Sequence, residues 1–498
     1  MPPGNPFVRR DIWSLQPDDP IVIAYGDAIT AMKAKASSNP RSWSYQAAIH
    51  GTAVGSPPAL ANECRHQSWY FAPWHRMYLY YFERIVRAEV IAAGGPATWA
   101  LPFWDYDRSG TNTLPLAFRQ STRPDGSPNP LFVANRNPGI NSGAGALPST
   151  VTSPAFALSR PNFTGTTEFG GGTASPVGQF QGRTGRLEQT PHNDIHVQIG
   201  GLMGDPATAA LDPIFWLHHA NIDRLWAVWD DNTHANPSTA TWADQPFSFF
   251  DADGTQVSLR CKDVADTVNQ LDYTYQAKVR FPNLRLPNEL LERFRRRPSW
   301  PPWIKELLGM PTPPRPRPPG PGPDPGPELV GGTLNPVRLI GNVEQVRVPI
   351  DARAQRDAVG DATPQQVVLD IENIEAERNP GTVYGVYVNL PESPSPDDLA
   401  AHHVGNISLF GIERVNDPPG DGHGHGGMRV AVDITDLVAR LTKQGAWNDD
   451  DIQVTFRPIG LELADDAPED DAARGEVGRT RIHEDLPVSI GRVSIHMR

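Results

Sequence analysis

Two cysteines in 498 residues, Cys64 and Cys261, are too few for a disulfide framework. Long apolar runs are also lacking. None approaches the roughly 18 residues of a membrane-spanning helix, so no membrane association is expected. Excess basic charge is missing as well: 44 Lys and Arg face 57 Asp and Glu, a formal net charge of −13. That sign opposes nucleic-acid binding. The stretch from Met1 to Arg10 has no apolar segment of the secretory kind, and a cytoplasmic protein is expected. An oligomer is left open, and the acidic run from Asp465 to Asp471 reads as a solvated loop.

Proline is plentiful and unevenly placed. Thirteen prolines fall between Pro298 and Pro327, which can neither continue a helix nor pair in a central strand. The predicted division is therefore a domain over 1–297, a linker over 298–329 and a second domain over 330–498. Trp303 to Leu308 could form one helical turn within the linker. The first domain is expected to be mainly α, with helices over Pro20–Lys35, Trp43–His50, Phe71–Ala93, His192–Ile199 and Pro213–Asp230. Residues 109 to 185, rich in Gly, Pro, Ser and Asn, read as loops over that core. After Val330 the pattern alternates with period two. Gln345–Ile350, Gln366–Ile371, Val383–Leu390, Met428–Ile434, Ile452–Phe456 and Val488–Ile495 read as strands of an all-β sandwich or barrel.

The chemistry concentrates in histidine. His192 and His196 stand four apart, on one face of a helix. Asp212 and Pro213 form a helix start, as cap and first residue, and lead to His218 and His219. Neighbours on a helix diverge by about 100°, so one of that pair faces a metal held by His192 and His196. The stripe Phe215, His219, Asp223 selects His219, makes Asp223 an acceptor for an imidazole N–H, and sends His218 elsewhere. A second set lies earlier. Pro73 places a helix start near Phe71, which carries His75, while His66 reaches in from the preceding loop and His50 from an earlier helix. Phe71 precedes His75 by four residues, as Phe215 precedes His219. Imidazole-only sites suit copper or zinc better than magnesium or calcium. A zinc-protease motif would need Glu directly after the first histidine, where Asn193 stands.

These residues resemble the type-3 copper proteins of the tyrosinase, catechol oxidase and polyphenol oxidase family. The resemblance covers roughly the first 275 residues and ends at Tyr273 and Tyr275, similar to that family's paired-tyrosine motif. The later strands resemble the C-terminal domain of plant polyphenol oxidases. It implies a four-helix-bundle core holding two copper ions, one on His50, His66 and His75, the other on His192, His196 and His219. The implied partners are O2 and small phenols or catechols, with hydroxylation of monophenols and oxidation of o-diphenols to o-quinones. Catechol oxidase or o-aminophenol oxidase activity alone is the alternative, and haemocyanin-like O2 binding the remote one. The resemblance further implies that Glu188 with Asn193 holds a water that deprotonates the phenol, and that Cys64 joins His66 in a thioether. A C-terminal lid would put a plug over the coppers, drawn from His402 to Phe410, with Val404 chosen. Cys261 has no assigned role, and His423 and His425 read as a solvated loop.

Overall fold

The computed structural model describes residues 6–180, 183–231, 234–276, 327–359, 364–415, 427–448, 450–465 and 482–498. The proline-rich segment up to Gly326, its Trp303–Leu308 turn, His423, His425 and the acidic run beyond Asp465 lie outside them.

Among the helices of the first half, five position the site, and most have a start written in the sequence. Asp19 caps α1 (Pro20–Lys33) by accepting the Ile21 N–H at 2.9 Å, with Pro20 at the first position. Ser42 caps α2 (Trp43–His50) through the Tyr45 N–H. Helix α3 (Phe71–Ala92) keeps Pro73 in its first turn, where no N–H is needed. A wide turn over Glu188–Asn193, extended at Thr190, leads into α4 (Asp194–Ile199). Asp212 caps α5 (Pro213–Asp231) through the Ile214 N–H, and is itself gripped by Arg136 at 2.6 and 2.8 Å in a fully buried pair. Helix α3 packs against both α1 and α5, with Tyr78 and Trp216 in contact at 4.8 Å between ring centroids.

Asp223 closes this half. The strand Phe7–Arg9 pairs in parallel with Tyr273–Tyr275, joining the start of the chain to the end of the helical region. Between them the buried Asp223 carboxylate accepts from Arg9 at 2.9 Å, from Tyr273 at 2.5 Å, and from Arg76 and Tyr275. Burial alone would raise its pKa, yet Arg76 and Arg9 hold it below the ordinary carboxylate range. This corrects the expected role. Both carboxylate oxygens are engaged by guanidinium and phenol groups, and Asp223 serves no imidazole.

The second half is β-rich, and all six expected strands form. One antiparallel sheet runs His403–Ile407, Val383–Val388, Asp451–Ile459, Glu344–Pro349. The other runs Met428–Asp433, Val367–Glu375, Val488–Met497, Glu328–Gly332, with Val337–Leu339 also paired to Val488–Met497. Their inward apolar residues, including Leu369, Val386, Phe456 and Ile490, form one buried cluster. The halves are joined by polar contacts. Glu462–Leu463 pairs with Gly145–Ala146, and Gln198 donates to the Ile459 carbonyl at 3.0 Å. Asn406 is fully buried, and its amide donates to Asp194 at 2.6 Å and to the Thr150 carbonyl at 2.8 Å. Its own carbonyl accepts from Gln189 at 2.7 Å.

Replacing Asp223 by Ala leaves Arg9 and Arg76 buried without their shared counter-charge. The expected loss is about 3–5 kcal/mol of unfolding free energy, read from urea denaturation. A loss below about 1 kcal/mol would show that the cluster is not the closure described.

Candidate metal centre

The helices bring six histidines to one buried place. His50 ends α2, His75 lies in the first turns of α3, and His66 comes from the loop between them. His192 sits in the turn before α4, His196 on α4, and His219 on α5. All six are at most 2% exposed. In the earlier set the ring centroids of His50 and His66, and of His66 and His75, are 5.3 Å apart, and those of His50 and His75 5.7 Å. In the later set His219 Nε2 is 3.3 Å from His192 Nε2 and 3.2 Å from His196 Nε2. The sets adjoin, with His75 stacked on His219 at 4.7 Å.

These atoms fit metal ions. Two imidazole nitrogens at tetrahedral angles around a metal stand about 3.3 Å apart, given metal–nitrogen distances near 2.0 Å. The Nε2 atoms of His50, His66 and His75 are buried with no hydrogen-bond partner, an expensive state for a nitrogen with no ligand to receive. The opposite ring nitrogens are occupied. Nδ1 of His50 faces the Pro206 carbonyl at 3.0 Å, that of His75 the Phe71 carbonyl and that of His196 the Met203 carbonyl, both at 2.8 Å. Nδ1 of His192 faces Asn193 Oδ1 at 2.8 Å. An acceptor at Nδ1 keeps the proton there and leaves the Nε2 lone pair for a metal. Burial lowers the pKa of His50 to about 4 and of His192 to about 3, and holds the other four well below the ordinary value. The rings are therefore neutral, as ligands must be.

Phe71 lies 4.6 Å from His75 and 4.7 Å from His192, and Phe215 lies 4.1 Å from His219 and 4.9 Å from His50, so both rings separate and brace the imidazoles. His218 departs from expectation. It does not pack elsewhere: its ring stacks on His192 at 5.4 Å, meets His196 edge-on at 5.0 Å, and joins the later set as a fourth imidazole. The turn that carries His192 packs on α5, so rings diverging by about 100° both meet the pair His192 and His196.

Glu188, fully buried, accepts the Gln67 N–H at 2.8 and 3.0 Å, and burial raises its pKa to about 8. Cys64 Sγ lies 3.3 Å from His66 Nδ1, and burial pushes the thiol up to about 12.

The covering residue also differs from expectation. Val404 is buried in the apolar core of the β-rich half. Phe410, in the turn that follows its strand, covers the site instead. Its ring stacks on His196 at 4.1 Å and 19° and meets His66 and His192 edge-on, each at 5.7 Å. Phe180, from the loop-rich region, stacks on His66 at 4.9 Å and 12°. Sequence reasoning named the segment of Phe410 but missed Phe180, which no periodicity marks.

Two adjoining buried histidine clusters of this kind are suited to a dinuclear type-3 copper site. Residues 40–232 match the common central domain of tyrosinase, residues 238–287 the polyphenol oxidase middle domain, and residues 326–498 a domain of unknown function. A tyrosinase from a Hahella species is 32% identical over 526 aligned positions, covering 98% of each chain. Aureusidin synthase from Antirrhinum majus is 26% identical over 82% of this chain and 72% of its own. The fold is shared with latent aurone synthase, at a TM-score of 0.62 and 20% identity, covering 100% of this chain and 90% of that one. Latent apple tyrosinase gives a TM-score of 0.59 and 23% identity, covering 100% and 98%. The chain belongs to the tyrosinase and polyphenol oxidase family of copper oxidoreductases, whose members act on phenols with O2.

A carboxyl whose folded pKa exceeds its unfolded value contributes stability below the unfolded value and loses it as pH rises through the folded one. Glu188 should therefore contribute a loss of stability between about pH 4.5 and pH 8 in copper-free protein, set against the opposite contribution of the six neutral histidines below about pH 6.5. Glu188→Gln should remove the Glu188 part of the slope. Urea midpoints across this range decide it, and equal slopes in both proteins would refute the burial argument.

Proposed function

We propose that this chain is a latent tyrosinase, hydroxylating monophenols and oxidising o-diphenols to o-quinones. The proposed ligands are His50, His66 and His75 for one copper and His192, His196 and His219 for the other, on a four-helix core of α2, α3, α4 and α5 joined by the loop of His66. The proposed division is the one predicted: catalytic domain over 1–297, linker over 298–329, lid over 330–498. What supports the reading most is the set of unpartnered Nε2 atoms of His50, His66 and His75 beside the second histidine cluster. Copper, when bound, supplies O2 binding and redox chemistry.

The chain's own residues do the rest. A phenol with pKa near about 10 needs a base to enter as phenolate at neutral pH. Glu188, beside the His66 loop and four residues before His192, is the proposed base, with Asn193 completing the water site. Cys64 is proposed to join His66 by a thioether. Phe410 lies on the His196 face where a phenol ring would stack, and is the proposed plug. Asn406, with Asp194, Thr150 and Gln189 as partners, anchors it, and tethering keeps its local concentration high.

Phe410→Ala should oxidise L-DOPA and hydroxylate tyrosine several-fold faster than wild type at unchanged copper content. Steady-state rates on tyrosine, L-DOPA and 2-aminophenol test this. Turnover of L-DOPA without tyrosine would replace the proposal by a catechol oxidase, and an unchanged rate would remove Phe410 as plug.

Copper counting tests the ligands. His219→Ala should hold one copper and His218→Ala two, because His219 Nε2 lies within 3.3 Å of the Nε2 atoms of both His192 and His196. The reverse counts would exchange the two roles.

A further inference from the structure

Among the six proposed ligands, His66 is the one whose Nδ1 meets sulfur. It is the one carried by a loop, and its Nδ1 faces Cys64 Sγ, a poor acceptor, where four others face an oxygen. A short neighbouring segment compensates. Residues Cys64, Arg65 and His66 run alongside Gly178, Gln179 and Phe180. Arg65 donates to the Gly178 carbonyl at 3.3 Å and the His66 N–H to the Gln179 carbonyl at 2.7 Å. The Gln179 side-chain amide donates to Cys64 Sγ at 3.1 Å and to the His50 carbonyl, also at 3.1 Å. Phe180 then lies flat on the His66 ring. Behind it stands Gly411 of the lid, where an added Cβ would fall 2.4 Å from the Phe180 ring, so the ring has no room to tilt away.

We infer that Gln179 and Phe180 form a positioning clamp that fixes Cys64 against the edge of His66 and so directs the thioether between them. The inference rests on the thioether proposed above. Sulfur sits at the Nδ1 edge of the ring, and of the two carbons bonded to Nδ1 only Cε1 carries a hydrogen. The S–H and Cε1–H bonds break and one S–C bond forms, releasing two electrons and two protons. O2, the family's co-substrate, accepts them as H2O2. Phe180 fixes the ring plane and Gln179 fixes the sulfur lone pair, so the clamp acts through orientation rather than by touching a substrate.

The test uses full-length protein expressed without copper, then given copper and air. Crosslinking is followed by the loss of two hydrogens in intact mass and by loss of Cys64 alkylation after denaturation, and copper is counted in parallel. Gln179→Met keeps the length and removes the donor; Gln179→Glu keeps the shape and replaces the donor by acceptors. Both should bind two coppers and form the crosslink roughly tenfold more slowly than wild type, the order expected for a lost orienting contact. If either binds two coppers and crosslinks at the wild-type rate, the clamp is overturned. A wild-type protein that never loses the two hydrogens overturns the thioether itself, a distinct result that leaves the copper assignment standing.

Discussion

The catalytic half hangs on one buried carboxylate. Asp223 stands one turn beyond His219 on α5, and its partner Arg76 is the residue after His75 on α3. Their ion pair fixes the distance between the two helices that carry one histidine from each set. Arg9 and the two tyrosines tie the same point to both ends of the domain, which are more than two hundred residues apart. A carboxylate shared by two guanidinium groups and two phenols is neutralised well enough to remain ionised in a dry core. The metal-binding geometry thus depends on an electrostatic knot on the far side of its helices.

Around the histidines the governing constraint is hydrogen-bond accounting. Each imidazole offers two nitrogens, and a buried one without a partner is costly unless a metal takes it. Nδ1 of His219 and both nitrogens of His218 stand as exceptions to the pairing seen in the other rings. Backbone carbonyls of Pro206, Phe71 and Met203 absorb one nitrogen of three rings, which turns the other inward. The Phe71 carbonyl lies one turn before His75 on α3, and those of Met203 and Pro206 both come from the short segment after α4, so that one segment orients a ring of each set. Aromatic rings fill the remaining space and keep water out, with Phe71 and Phe215 from below and Phe180 and Phe410 from above.

Much of this was legible in the chain. The caps Asp19, Ser42 and Asp212 announce their helices, and alternation announces the six strands, because both signals are local. The spacing of His192 and His196 was enough to infer a shared face. Misreadings arose where the deciding partner is distant in sequence. Asp223 looked free to serve an imidazole because nothing near it reveals Arg9 or Tyr275. His218 looked excluded by helical geometry because the packing of the His192 turn on α5 is a tertiary fact. Val404 was the expected plug, yet strand alternation turns it into the core of the β-rich half. The residue that reaches out follows the strand, just before Gly411, whose φ of +81° turns the chain back.

Phe410 carries a chemical consequence through what its ring lacks. A site that oxidises phenols destroys most aromatic occupants that share its substrate's shape. A benzene ring without oxygen has nothing to donate to the metals and no proton to surrender, so it can rest against His196 indefinitely without being consumed. Tyrosine, one oxygen atom larger, would place a phenol in the same position and turn the cover into a reactant. In the proposed covering role, the choice of side chain therefore decides whether the cover lasts or consumes itself.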